Sequence, residues 1–462
     1  MPINSFENYP MSWKPDKNQL KFPMYISIAE LLEKDIQSGK IAPNTKLPPQ
    51  RELADFLDIN LSTITRAFQL CEIKGLIYGT VGKGTFVSAH ATISEKKQQN
   101  TLIPLGAIQP YYQFNHIVAD TAKEILSHTN APMLFEFDNT IVTQYHKKTA
   151  QKWLSQYGID TDENNIMITS GIQNALIITL LSLFHAGDKI AVDNFTYFNL
   201  IQLAKQLSIQ LVGIETDKNG MLPEALEKQC SIVNIKGVYL MPCCSNPTTI
   251  TMPLERRKKI SDIIKKQKIM LIEDDTYHFT IQNKITPMFS LIPENTIYLH
   301  SLSKSLVAGV RAAYLVFSER FKKIFLNTAN NVNLKIPLLN SEIITQLIEN
   351  GTAYHIIHEK CMLSEKRNQI YQKYFPKLNN MYSLFQWLPL PNNYNGYRFE
   401  MQAEKNAVKV FCSDRFAVGN TNNISAIRIA ICSPSTTAQL EHGLKIIKSL
   451  IENECENEEW IV

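Results

Sequence analysis

Between residues 164 and 273 the chain alternates short apolar runs with amphipathic stretches, and this restricts the fold more than any other feature. The runs expected as strands are 166–169, 189–192, 210–214, 237–241 and 270–273; the stretches expected as helices are 171–184, 198–207, 223–229 and 254–266. The runs are too short for helices and lack polar alternation, so each is expected to be buried on both faces. That is the signature of a mostly parallel sheet covered by helices, an α/β architecture. Functional residues then belong at the C-terminal ends of the strands. Two more runs, 297–299 and 312–317, read as further buried strands.

The residues at those ends are poor material for packing. Thr169-Ser170-Gly171-Ile172-Gln173 joins a strand to a helix, where free N–H groups make a ready anion site; many strand–helix turns read the same way. Tyr197 follows the second strand and suits either stacking on a flat ring or ordinary packing. Asn246-Pro-Thr-Thr follows the fourth. Glu273-Asp-Asp-Thr-Tyr277 ends the fifth, and an aspartate there is costly to bury without a cation. A protonated ring nitrogen is one such cation. Ser301, Ser303, Lys304 and Arg311 lie between the last two runs. Hydroxyls and a guanidinium can hold a phosphate while an amine attacks an aldehyde. Taken alone, Ser-x-Ser-Lys reads as readily as a basic loop; its meaning comes from the order of residues upstream.

After residue 330 a smaller C-terminal domain is expected, through 462, following a large domain over 105–330. Its reading is helical around 340–361, strand at 397–401, helix at 408–414, strand at 426–431 and helix at 437–451. Arg428 is the lone charge within an alternating apolar strand. It suits a bidentate grip on a carboxylate, or a structural ion pair.

The first 88 residues follow another plan. Residues 1–20 lack apolar periodicity and read as a loose arm. Ile28, Leu31, Leu32 and Ile36 are spaced for a helix, a second helix is expected over 51–57, and a third over 61–74 with Asn60 as N-cap and Gly75 as its stop. Residues 77–87 read as a hairpin with glycines at its tip. Helix, tight helix–turn–helix and hairpin is the order of a winged helix, over 21–88. Residues 89–104 are polar and read as a tether able to span tens of ångströms at ~3.3 Å per residue.

Charge and cysteine usage narrow the partners. Residues 21–90 hold eight Lys+Arg against seven Asp+Glu, a weak electrostatic footprint that predicts modest affinity for nucleic acid from one module and a need for pairing. No apolar run is long enough for a membrane span, and residues 1–20 lack the apolar core of a signal peptide. The eight cysteines include no Cys-x-x-Cys, which fits reduced cytosolic thiols and no metal site. A cytoplasmic protein without a membrane partner is expected.

Two resemblances draw these readings together. Leu47-Pro-Pro-Gln-Arg-Glu-Leu-Ala, then Thr63-Ile64-x-x-Ala67-Phe68, then Gly82-x-Gly-Thr-Phe-Val resemble the DNA-binding module of the GntR regulators. The resemblance implies that Arg51 meets phosphate, that helix 61–74 enters the major groove of a double-stranded operator, and that Lys83 on the wing reaches the backbone. The family pattern usually has Ser-Arg where this chain has Asn60-Leu61, so Thr63, Thr65 and Arg66 are the remaining candidates to meet the bases, with Asn60 among the residues expected at the DNA. The order Gly171, Tyr197, Asn246, Asp274/Tyr277, Lys304, Arg311 resembles the pyridoxal 5'-phosphate site of the fold-type I, class I/II aminotransferases. That resemblance implies a Schiff base at Lys304 and a phosphate held by Ser170, Gly171, Ile172, Ser301, Ser303 and Arg311. It also implies Tyr197 on the ring, Asp274 on its nitrogen, Asn246 and Tyr277 on its phenolic oxygen, and Arg428 on a substrate carboxylate. The Gly-x-x-x-Leu-Arg segment of working aminotransferases is missing from 140–147, so the tyrosine a neighbouring subunit donates in those enzymes is not assignable.

A GntR-type winged helix joined to an aminotransferase-like domain is the layout of the MocR regulators. The resemblance implies a transcriptional regulator that senses pyridoxal phosphate, alone or joined to an amine or amino acid. It also implies a head-to-tail homodimer in which DNA-binding domains are swapped. Two alternatives stay open: an active aminotransferase with a DNA-binding extension, and a DNA-binding protein whose second domain has lost its cofactor.

Overall fold

A computed structural model describes residues 11–80, 82–88, 102–137, 140–283, 285–333, 335–378, 380–391, 394–421 and 424–458. The chain divides into two compact units, 1–101 and 102–462.

In the first unit α1 (Met24–Gln37), α2 (Gln50–Leu57) and α3 (Leu61–Ile73) pack with the antiparallel strands β1 (Ile77–Thr80) and β2 (Gly84–Val87). Ile28, Leu32 and Ile36 from α1 meet Leu53 and Leu57 from α2 and Ile64 and Phe68 from α3 in one core. The i, i+4 spacing of each set puts it on a single helix face. The expected loose arm is corrected over 11–20. Trp13 is 2% exposed within that core, and its Nε1 donates to Asp35 Oδ2 at 2.9 Å. An indole buries a large area and needs only one acceptor, which an aperiodic segment can satisfy as well as a helix. Residues 1–10, and the tether over 89–101, lie outside the described residues. Asn60 takes the N-cap position of α3, but its side chain makes no capping bond.

The second unit contains β3 (Ile103–Pro104), α4 (Asn115–Ser127), α5 (Thr140–Ser155), β4 (Ile166–Thr169), α6 (Ile172–Leu183), β5 (Lys189–Asp193), α7 (Phe198–Gln206) and β6 (Gln210–Ile214). There follow β7 (Thr216–Asp217), β8 (Gly220–Met221), α8 (Pro223–Ile232), β9 (Ile235–Leu240), α9 (Leu254–Gln267), β10 (Met270–Asp274), α10 (Met288–Leu291), β11 (Thr296–Ser301) and β12 (Ala313–Val316). The remainder is α11 (Lys322–Val332), α12 (Leu338–Glu349), α13 (Thr352–Gln372), β13 (Gln386–Pro389), α14 (Gly396–Lys405), β14 (Val408–Lys409), β15 (Phe411–Cys412), β16 (Ala426–Ile429) and α15 (Thr437–Glu458). A seven-stranded sheet has the order β4-β12-β11-β10-β9-β5-β6. Its pairs are parallel except those of β12, which is antiparallel to both neighbours. Core clusters form on its two sides, as a sheet buried on both faces requires.

The C-terminal lobe is built on an antiparallel sheet, β13-β16-β15, and the parallel pair β14-β3. The expected divisions at 104/105 and 330/331 cut across the packing. Ile103 pairs with Val408 and, with Leu105, shares a core with Phe399, Ile427 and Leu440. α12 contributes Ile344 and Leu347 to the large-sheet core. Two elements of this lobe are also corrected. The expected strand at 397–401 is helix α14, because Phe399 and Ala403 are the buried pair while Tyr397 and Met401 are exposed. The expected helix at 408–414 is the strands β14 and β15, whose partners lie at Ile103 and Arg428.

Candidate functional site

The C-terminal ends of β4, β5, β9, β10 and β11 converge on a cleft of about 380 Å³. Ile172, Tyr197, Asn246, Asp274, Tyr277, Ser301, Ser303, Lys304, Arg311 and Arg428, all singled out from sequence, line it. They come from segments up to 256 residues apart (172 to 428) and meet because the parallel sheet aligns its strand ends.

The anion end is built at the start of α6. Gly171 precedes that helix with φ +81°, and a Cβ added to it would lie 2.6 Å from Arg311 Nη2. Only glycine admits both this backbone and this approach. Arg311 Nη1 donates to Ser303 Oγ at 3.2 Å, and Ser303 N–H to Ser301 Oγ at 3.3 Å. Ser170 does not line the cleft. Its N–H is used by Asn174 Oδ1 at 3.0 Å, and the N–H of Gly171 by Thr169 O at 2.7 Å. The N–H groups of Ile172 and Gln173, one step further on, have no partner among the described residues. The anion-seeking donors therefore lie one to two residues beyond Ser170 and Gly171, where a helix start leaves its first amides unpaired.

Glu273 and Asp274 end β10 and Asp275 follows it, and of the three only Asp274 lines the cleft. Glu273 accepts the N–H groups of Met288 and Phe289 and lies 4.0 Å from Arg257. Asp275 accepts from His278 Nδ1 and Tyr298 Oη, each at 2.5 Å. Asp274 is 2% exposed and has neutral donors: Tyr239 Oη at 2.8 Å, Thr276 Oγ1 at 2.6 Å and Thr276 N at 3.1 Å. Among the described residues no cation pairs with it. Burial pushes its carboxyl up to about 6, against the pull of these hydrogen bonds. A positively charged ring nitrogen in the cleft would supply what Asp274 lacks.

Lys304 Nζ donates to Ile108 O at 2.6 Å. Burial lowers its pKa, opposed by Cys432 and aided by the nearby charges of Arg428 and Arg311. A buried amine shifted in that direction is a better nucleophile. Behind it stands Lys360, which the sequence reading missed. It is 1% exposed on α13, and its Nζ donates to the carbonyls of Lys304 and Leu306, which pins the loop carrying Lys304. The visible signal was its place at i+4 from Ile356 and i−4 from Ser364, on the buried face of the helix.

At the opposite end Arg428 Nη1 donates to Asn246 Oδ1 and Nη2 to Gly106 O, both at 2.8 Å. Its Nε is buried without a partner. The guanidinium lies 4.7 Å from the Phe416 ring centre and 5.6 Å from that of Phe411. Phe411, Arg415 and Phe416 line the cleft without a sequence signal: Phe411 lies in the stretch expected as a helix, and Arg415 and Phe416 follow it in a segment with no expected element. Arg415 is paired with Glu400 through two contacts, at 2.9 and 2.5 Å.

In the first unit Arg51, Asn60, Arg66 and Lys83 are exposed, and Thr63 and Thr65 half-buried. The hydroxyl of Thr65 lies 2.8 Å from Gln50 Oε1 and 3.0 Å from Leu61 O, so it serves the contact between α2 and α3. Cys243, Asp275 and His278 lie close enough to share a metal ion. They are already bonded to one another, and Arg257 Nη2 stands 3.5 Å from Cys243 Sγ, placing a fixed positive charge against the trio.

Comparison with known proteins agrees with both units. Residues 24–87 match the model of the bacterial regulatory proteins, gntR family, and residues 100–447 that of aminotransferase class I and II. The chain is 38% identical over 460 residues to the uncharacterized HTH-type transcriptional regulator YdeF of Bacillus subtilis (strain 168), covering 98% of this chain and 100% of that one. It is 24% identical over 360 residues to the HTH-type transcriptional regulator NorG of Staphylococcus aureus (strain N315), covering 70% of this chain and 80% of the other. A solved archaeal alanine:glyoxylate aminotransferase shares the fold with a TM-score of 0.70 and 23% identity, over 76% of this chain and 91% of that one. The kynurenine aminotransferase of Pyrococcus horikoshii does so with a TM-score of 0.69 and 22% identity, over 77% and 91%. With a GntR helix–turn–helix unit ahead of a fold-type I unit of a family whose members bind pyridoxal phosphate, the chain belongs to the aminotransferase class I and II family in its MocR-type regulator form.

Proposed function

We propose that this MocR-type transcriptional regulator reads the occupancy of its cleft by pyridoxal phosphate, alone or together with an amino compound bearing a carboxylate, and converts it into a change in operator binding. The observation that carries the reading is Asp274: a buried carboxylate without a cation, in the same cleft as a buried amine. Pyridoxal phosphate, when bound, supplies an aldehyde for an amine to capture and a cationic ring that draws electrons.

This chain's own residues divide the work. Arg311, Ser301, Ser303 and the amides of Ile172 and Gln173 hold the phosphate. Asp274 keeps the ring nitrogen protonated, Tyr197 packs on the ring face, and Asn246 and Tyr277 face its phenolic oxygen. Lys304 presents the reactive amine, and the unpartnered Nε edge of Arg428 takes the effector carboxylate. On the DNA side Arg51 and Lys83 meet phosphates, Asn60 stands at the DNA just ahead of α3, and α3 offers Thr63 and Arg66 to the bases. A second copy of the chain completes the DNA-binding species. Met133, Ile141 and Tyr145 line a surface groove, and Phe135 and Phe137 beside it are 69% and 74% exposed, an apolar area suited to self-association.

The test is footprinting on the DNA upstream of the protein's own gene, with and without pyridoxal phosphate and a panel of amino acids. Borohydride trapping and peptide mass analysis run in parallel. A reducible adduct at Lys304 that is absent in Lys304→Ala, together with a ligand-dependent footprint and an unchanged winged helix, supports the proposal. An adduct that persists in Lys304→Ala removes the lysine assignment. Keto-acid release from the amino acids would favour an active aminotransferase instead.

A further inference from the structure

Lys304 and Arg428 hold more than ligands: both grip the same short stretch of backbone. Lys304 Nζ donates to Ile108 O at 2.6 Å and Arg428 Nη2 to Gly106 O at 2.8 Å. Between these two carbonyls, Ser433 Oγ donates to Ala107 O at 2.6 Å and accepts from the N–H of Gln109 at 2.9 Å. Just upstream the stretch is woven into the C-terminal lobe. Ile103 N–H donates to Ala407 O, Leu105 N–H to Lys409 O, and Ala430 N–H to Leu105 O, at 2.7 to 2.8 Å. Residue 102 opens the second unit, so these are the first anchors of that unit among the described residues.

The anchors differ in chemistry. The Lys304 nitrogen, once condensed with an aldehyde whose oxygen leaves as water, keeps at most one hydrogen, and its direction is set by the new bond. A carboxylate is a stronger acceptor for a guanidinium than a peptide carbonyl is. Arg428 Nε, buried and unpartnered, lies on the same edge as Nη2, so a carboxylate seated across that edge competes with Gly106 O for Nη2. Ser433 does not line the cleft and keeps its two bonds in either case.

We propose that residues 106–109 form a ligand-displaced latch. Occupancy of Lys304 withdraws the donor from Ile108, and occupancy of Arg428 withdraws the donor from Gly106. The stretch then hangs on Ser433 alone, and the change passes through β3 to the chain that leads to the winged helix. The latch deepens the reading of the cleft given above and rests on it. It explains how two small ligands bound deep in the second unit reach the one covalent path to the first. It also assigns a role to Ser433, a positioning residue that touches neither ligand.

Hydrogen–deuterium exchange of the full chain, read on peptides spanning 102–111 and paired with borohydride trapping at Lys304, tests the latch. Pyridoxal phosphate should speed exchange over 105–109 about tenfold, the effect of losing one backbone-holding bond. Lys304→Ala should show that faster exchange without any ligand and gain nothing from pyridoxal phosphate. Ser433→Ala should form the Lys304 adduct normally and, once loaded, exchange over 105–109 faster than the loaded wild type, because the anchor that the ligands leave in place is gone. Unchanged or slower exchange over 102–111 in a sample whose Lys304 is trapped overturns the latch alone. Absence of the adduct overturns the latch and the reading of the cleft together. Exchange over 105–109 in loaded Ser433→Ala no faster than in the loaded wild type also overturns the latch.

Discussion

Asp274, proposed above to hold a ring nitrogen, works against the stability of its own fold. Its neighbours Glu273 and Asp275 have a cation or a charged histidine beside them, and His278 is correspondingly raised to about 11, by Asp275 first and then Cys243, against its burial. Asp274 has only neutral donors, and burial holds its pKa at about 6, above the ~3.9 of an unfolded aspartate. The native state therefore binds this proton more tightly than the unfolded chain does. The resulting stability is present at low pH and is lost as pH rises from ~4 through 6. Asp274→Asn is expected to stabilise the cofactor-free protein at pH 8 by about 1–2 kcal/mol. The gain should shrink towards pH 4, as read by denaturant unfolding at several pH values, while the same variant binds pyridoxal phosphate more weakly. Gly171→Ala tests the other end of the cleft. Its Cβ would meet Arg311 Nη2 at 2.6 Å from a backbone at φ +81°. Displacing one charge-assisted contact should lower pyridoxal phosphate affinity about tenfold or more, measured by spectroscopic titration.

At the scale of elements, α3 separates two kinds of polar residue that look alike in sequence. Thr65 is spent on Gln50 and Leu61, whereas Arg66 is exposed. Thr65→Val should cost about 1 kcal/mol of first-unit stability by leaving Gln50 without its donor, seen as a lower unfolding midpoint. Arg66→Ala should leave that midpoint unchanged, weaken DNA binding, and reduce the salt slope by about one if its partner is a phosphate. The sheet strands were legible because runs such as 166–169 and 210–214 are apolar but for one polar residue at an end, Thr169 and Gln210, and the structure has β4 and β6 over those same residues. α14 was not legible: Tyr397, Phe399 and Met401 alternate like a strand, yet Asn395 caps the N–H of Arg398 and the buried residues follow a helical spacing. β14 and β15 are two residues each and owe their conformation to partners about 305 and 17 positions away (103 and 428), which local pattern does not reveal.

For the whole molecule, the two units have separate cores, so the first can be made alone. A fragment spanning 11–88 should fold and bind operator DNA weakly, given its near balance of charges. The full chain, pairing two modules, should bind at least about 100-fold tighter in the same salt. Ile141→Glu on the exposed apolar area should convert a dimer to monomers in sedimentation and reduce DNA affinity to that of the fragment. An unchanged sedimentation coefficient in that variant would move the pairing surface elsewhere.

Sequence by itself determined the winged helix and the mostly parallel sheet, and it picked out ten of the residues that line the cleft, because strand-end chemistry and apolar periodicity are local properties of the chain. Only the tertiary structure decided which of three adjacent acids lacks a cation, which amides at the start of α6 stay free, and that Lys304, Arg428 and Ser433 close on one stretch of backbone. Those outcomes depend on partners brought in from distant segments, and no window of the sequence contains both halves of such a contact.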